Sequence, residues 1–189
     1  MRHEELIRLE RELREAVASE EYESAARLRD ARAELILDAE VAVLAANAAF
    51  YRAFNRQDEA AMAALWSNSR PNVCATHPGH APIFGLAEVM DSWRDIFSVS
   101  PLRVEPSEIR TQLLGGGSAC VTCMEELSPG EGKLSAVNVF ALEPDGRWAL
   151  VHHQAGPLME QDEGGDDGDD DQEEEEMLEG DEEEDETAG

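Results

Sequence analysis

The chain has 189 residues, with 43 Asp and Glu against 15 Lys and Arg, giving a formal net charge of −28. Binding of phosphates wants a basic surface, so this balance argues against a nucleic-acid partner; no run approaches the ~18 consecutive apolar residues of a membrane helix. Cys74, Cys120 and Cys123 are an odd and sparse set that fits a reducing compartment better than a disulfide scaffold.

The charge is unevenly spread. Nineteen of the acids fall from Glu160 onward with no Lys or Arg among them, which leaves 24 acids and all 15 bases before that point, a net −9. Three segments are expected: a helical hairpin over residues 1–37, a main domain over 38–159, and an acidic tail over 160–189. The tail has too little apolar surface to offset its ordering entropy and is expected to be disordered, with Met177 and Leu178 as its one apolar pair. Its plain role is solubilisation; the sharper one is docking of a basic partner or screening of a nearby site. The start, "MRHEELIRLE", carries early acids and no apolar h-region, so neither a secretory signal nor an ordinary transit peptide is expected. The expected compartment is the cytoplasm, with the nucleus as an alternative, or a plastid if a transit peptide precedes this sequence.

Residues 2–37 are rich in Glu, Arg, Ala and Leu and contain no Gly or Pro. Leu6, Leu9, Leu13 and Val17 recur at spacings of three and four, which predicts one apolar helical stripe. Ser19, followed by Glu20 and Glu21, predicts the N-cap of a second helix. That helix has Tyr22, Ala25, Ala26, Leu28 and Leu35 available to face the first. One stripe would hardly be stable alone, so the hairpin is expected to pair with a partner or with the main domain. Asp38 is expected to cap a further helix with Val43, Ala46, Phe50 and Phe54 on one face. The alternative, because no breaker intervenes, is that the second helix runs straight into it. Asp58 starts a shorter helix ending at Trp66; "NVCATHPG" alternates like a strand leading into a turn; Gly85 precedes the helix "LAEVMDSWRDIF". Four strands follow, around 103–113, 118–127, 133–143 and 147–154. "GGG", "SPGEG" and "EPDG" separate them, hairpin turn chemistries that predict an antiparallel meander. The fold class is therefore α+β, with helices on one concave face of a curved sheet.

"LERELREAVASEEYESAARLRDARAEL", residues 9–35, resembles the UVR motif of the excision-repair proteins UvrB and UvrC and of some protease adaptors. The resemblance rests on Leu13, the Ala16–Val17 pair, "EEYESAARLRD" and Leu35, and implies a protein-pairing hairpin. Leu13, Val17, Tyr22, Ala26, Leu28 and Arg29 are its candidate interaction residues. The main domain, through "FYRAFNRQDEAAMAALW", "VCATHPG", "GLAEVMDSWRDIF" and "SAVNVFALEPDGRWALVHHQAGP", resembles the SnoaL-like branch of the nuclear transport factor 2-like superfamily. That resemblance implies a cone with an apolar pocket between helices and sheet. Its members include cyclases, dehydratases and isomerases as well as binding and dimerisation modules, so the fold leaves function open.

Four of the five histidines stand in "THPGH" and "VHHQAGP". His152 and His153 are neighbours on a strand and must point to opposite faces. Strict alternation groups Trp148, Leu150 and His152 on one face and Ala149, Val151 and His153 on the other, both apolar, so it does not say which is inside. The plain reading is that the histidines are structural. The functional one has His77 and one of His152 or His153 lining the pocket with Tyr51, Trp93 and Asn138, and moving protons. Asp91 and Glu125 are the candidate carboxylate partners, though both also fit solvent-facing positions. Trp93 reads as helix–sheet packing before it reads as a stacking platform. A zinc site from His77, His80 and His152 would leave an open position, but "HPGH" is not a recognised metal spacing. "CVTC" lies on a strand, where positions i and i+3 diverge. No metal and no cofactor are therefore expected. The favoured function is a protein-interaction adaptor: the hairpin recruits a protein partner, and the main domain forms a homodimer through its sheet. No nucleic-acid or membrane partner is expected. The alternative is a small lyase or isomerase acting on an apolar carbonyl compound through a pocket histidine.

Overall fold

The computed structural model describes residues 2–99, 102–130 and 132–158. The acidic segment from Glu160, with Met177 and Leu178, lies outside the described residues.

Helix α1, Arg2–Ala18, folds back on α2, Tyr22–Arg56, and the two close on buried Leu9, Ala16 and Ala25. An Arg32–Glu10 pair at 3.0 Å spans them. Three details differ from the sequence expectation. Val17 is 55% exposed and Ala16 takes the buried place, because two helices this close accept a methyl group more readily than an isopropyl. Ser19 does not cap α2; its amide bonds back to Glu15, Glu20 turns the chain at φ 60, and Glu21 is the residue before the helix. Asp38 likewise starts no new helix, since α2 runs unbroken for 35 residues, as its lack of Gly and Pro allows.

Gln57, left-handed at φ 53, ends α2. Asp58 then accepts the amide of Ala61 at 2.9 Å and caps α3, Glu59–Leu65. Strands β1, Cys74–Thr76, and β2, Ile83–Phe84, precede α4, Leu86–Val99. Four long strands follow: β3, Arg103–Gly115; β4, Ser118–Ser128; β5, Gly132–Leu142; and β6, Trp148–Pro157. They form the expected antiparallel meander within a six-stranded sheet of order β2-β1-β6-β5-β4-β3. The strand β2 was not anticipated, nor was the parallel pairing of β1 with β6. Such pairing depends on where the chain travels through α4 and the meander, not on any local pattern.

Register sets the inner face. Val121, Cys123 and Glu125 of β4 lie level with Asn138, Ala136 and Leu134 of β5. On β6, Phe140 pairs with Leu150 but Val139 pairs with His152, so Val151 is an extra residue in a bulge. The bulge corrects the strict alternation of this strand: Leu150 and His153 come to the same inner face, and His152 turns outward. Helices α2 and α4 cover that face with Phe50, Phe54, Val89 and Trp93, which join Phe140 and Leu150 in one core. Burying Phe50 and Phe140, each 1% exposed, contributes roughly 1.5–3 kcal/mol apiece. At the sheet end, Leu6, Leu35 and Ile36 of the hairpin and Leu113, Leu142 and Trp148 of the sheet enclose an apolar cavity of about 60 Å³. The hairpin thus rests on the main domain as well as on itself.

Candidate active site

Between α2, α4 and the inner face of the sheet lies a cavity of about 270 Å³. Its walls are mostly apolar, including Phe50, Phe54, Trp93 and Leu134; four buried polar side chains open onto it, Tyr51, His77, Glu125 and His153, and exposed His80 stands at its edge. Among the described residues, no Lys or Arg lines it.

His153 is held from behind. Asn138 Nδ2 donates to Asn47 Oδ1 at 2.8 Å, which presents Asn138 Oδ1 to His153 Nδ1 at 2.7 Å. His153 Nδ1 must therefore carry the proton, leaving the lone pair on Nε2. His77 is fixed in the other tautomer. Ser92 Oγ spends its own proton on the Val89 carbonyl, so it accepts from His77 Nε2 at 2.9 Å. The two imidazole centroids are 6.2 Å apart, and Trp93 lies 4.6 Å from one and 5.3 Å from the other. Burial pushes the His77 pKa down to about 4, with His80 adding to the effect, and that of His153 down to about 3, with His77 and His152 adding. Both rings are neutral near pH 7.

Glu125 is the buried acid of the site, 4% exposed. Tyr51 donates its hydroxyl proton to Glu125 Oε1 at 2.8 Å, while the Tyr51 oxygen lies 3.0 Å from Cys123 Sγ. Desolvation raises the Glu125 pKa, and the Tyr51 hydrogen bond only partly opposes it. Burial, and then the Glu125 charge, raise the Tyr51 pKa as well. Burial likewise pushes the Cys123 thiol up, so it is not a ready nucleophile.

Of the residues singled out in the sequence, Tyr51, Trp93, His77 and His153 reach the cavity, and Asn138 supports it from the second layer. His152 is on the outer face. His80, exposed, sits at the mouth with Nδ1 2.9 Å from the Pro78 carbonyl. Asp91 is on the surface, paired with Arg94 at 2.6 Å. Glu125 is not solvent-facing: Val121, Cys123 and Glu125 alternate inward on β4, a signal present in the sequence. Asn47 was missed, although it falls between Val43 and Phe50 on the buried face of α2. Among the described residues, no group of three His, Cys, Asp or Glu is placed to hold a metal ion. No helix there is long and apolar enough to cross a membrane.

In the hairpin, Val17 and Tyr22 are exposed, by 55% and 70%, and Leu13, Ala26 and Leu28 are half-buried. Arg29 is exposed and paired with Asp30 at 2.7 Å.

Residues 43–160 match the SnoaL-like domain. The chain belongs to the SnoaL-like family. Ahead of this SnoaL-like domain, residues 4–31 match the UvrB/uvrC motif, a span shifted toward the N-terminus from the residues that carried the resemblance. A solved structure similar to the SnoaL-like domain is a candidate dehydratase of the NTF2-like family from Streptomyces avermitilis. It is 29% identical, with TM-score 0.59, the match covering 64% of this chain and 96% of that one. A candidate calcium/calmodulin-dependent protein kinase type II association domain from Thiobacillus denitrificans is 30% identical, TM-score 0.53, over 61% and 94% of the two chains. A ketosteroid isomerase-like protein from Erwinia carotovora atroseptica shares the fold at 17% identity and TM-score 0.52, over 64% and 96%. No curated protein matches the chain.

Proposed function

We propose that the cone binds a small, uncharged, mainly apolar carbonyl compound and moves a proton on it, as an isomerase or a lyase. One observation carries this reading: Glu125 and His153 open onto one apolar cavity, and among the described residues neither is tied up in an ion pair. A carboxylate whose pKa is raised by burial is a stronger base than one in water, and its conjugate acid can return the proton to a neighbouring atom. Neutral His153 offers Nε2 as an acceptor that orients a hydroxyl or enol. With its pKa held near 3, it is poorly suited to carry the proton itself, so the principal acid–base role passes from the histidines to Glu125. The absence of Lys and Arg from the walls disfavours carboxylate or phosphate substrates, whose desolvation would go uncompensated. Similarity to a candidate dehydratase at 29% identity supports the same class of chemistry.

The test is α-proton exchange into D2O, followed by NMR, over a panel of uncharged carbonyl compounds. Exchange is expected for at least one compound and falls about 10²–10⁴-fold in Glu125→Gln, with a smaller loss in His153→Gln. Binding without exchange, or exchange untouched by Glu125→Gln, overturns the reading.

A second reading, recruitment of a protein by the hairpin, is favoured by the UvrB/uvrC motif together with exposed Val17 and Tyr22. It is compatible with catalysis in the cone. Replacing Val17 and Tyr22 by Glu leaves the fold intact and is expected to remove at least one co-purifying protein that wild-type chain retains. A homodimer through the outer sheet face, where Val137, Val139 and His152 are half-buried, belongs to the same proposal.

A further inference from the structure

Past the UvrB/uvrC motif, α2 leaves an apolar stripe uncovered. Leu37, Val41 and Leu44 are 60%, 58% and 40% exposed, and Ala45 and Ala48 beside them are exposed too. At about 100° per residue, Leu37, Leu44 and Ala45 all fall within about 60° of Val41, so this is one face and not scattered side chains. Three large aliphatic groups on one face of a helix that already buries Val43, Phe50 and Phe54 on another mark a surface meant to be covered.

Charge says by what. Asp30 stands eleven residues before Val41 and Arg52 eleven after it, both exposed and both on the stripe's line. Glu34, also exposed, reinforces the acidic end. We propose that this face pairs with the same face of a second copy, antiparallel, with Val41 on the two-fold axis. At 1.5 Å per residue, Asp30 and Arg52 then lie about 16.5 Å on either side of the axis, and each meets its opposite on the partner helix. Leu37 comes level, within about 1.5 Å, with the partner's Leu44. A two-fold interface requires such self-complementarity, with residue i meeting j and j meeting i. Asp30 keeps its neighbour Arg29 at 2.7 Å; a carboxylate has acceptor capacity for both. The apolar stripe itself lies past the UvrB/uvrC motif, which contributes only Asp30 at its end, and this contact is separate from the cone and from any pairing through the sheet.

The test uses the full chain in sedimentation velocity over a range of concentrations. Val41→Glu, which sets two carboxylates on the axis, is expected to halve the mass of the assembly at micromolar concentration. Asp30→Arg alone is expected to weaken association about tenfold. Combining it with Arg52→Asp on the same chain restores association, since the swapped charges meet again. Val41→Cys is expected to cross-link symmetrically on oxidation while the wild-type chain does not, a readout that holds even if other variants fold poorly. A wild-type chain that is monomeric throughout, an assembly whose mass Val41→Glu leaves unchanged, or a stripe that cross-links to the chain beyond residue 158 or to a different protein overturns the proposal.

Discussion

Acidification from pH 7.5 to 4.5 is expected to remove about 5 kcal/mol of folding stability through two residues. His77 and His153 have folded pKa values of about 4 and about 3, against about 6.5 in the unfolded chain. Below pH 6.5 the unfolded state takes up protons that the native state refuses, so stability falls with pH by up to about 1.4 kcal/mol per unit for each histidine. Each contributes about 2–3 kcal/mol by pH 4.5, and the loss levels off as pH drops through about 4 for His77 and about 3 for His153. Glu125 works the other way. Its raised pKa lets the native state hold a proton that the unfolded state has released, so acidification toward 4.5 returns part of the loss. Urea titrations at pH 7.5, 5.5 and 4.5 measure the sum. The double variant His77→Gln with His153→Gln should flatten the dependence, and an unchanged slope would mean the rings are not neutral in the native protein.

Asn138→Ala is the second large effect, an expected loss of about 3–5 kcal/mol. Asn138 is fully buried and bridges Asn47 and His153, which are only 1% and 3% exposed. Its removal leaves Asn47 Oδ1 and the His153 Nδ1–H without partners, each at about 1–3 kcal/mol, and opens a small cavity. Because the groups form one chain, the double variant Asn47→Ala with Asn138→Ala should lose less than the sum of the singles, by about 1 kcal/mol or more. Additive losses would show that the chain of hydrogen bonds is not coupled. Catalysis should respond separately: with Asn138 gone, His153 is free to change tautomer, so proton exchange should drop more than the folded fraction does.

Much of the fold was legible because its signals are local. The Glu-, Arg- and Ala-rich run without breakers specifies long helices. The Asp58 carboxylate specifies a cap, and the three turn sequences between β3 and β6 specify a meander. Those features need only neighbouring residues to act. The site was legible in part for the same reason: alternation alone could have turned Glu125 inward with Val121 and Cys123, and helical spacing could have placed Asn47 beside Phe50.

What the tertiary structure decided are the relations between residues distant in sequence. The bulge at Val151 depends on how β6 meets β5, and it alone selects His153 over His152 for the cavity. Parallel pairing of β1 with β6 brings His77 to within 6.2 Å of His153, from 76 positions away in the chain. Whether Glu125 is solvated or buried depends on Tyr51 of α2 arriving 2.8 Å from it. Composition and periodicity determine which elements form and which faces are apolar, because those are short-range free energies. Protonation states depend on the desolvation and hydrogen-bonding that only the assembled cone imposes.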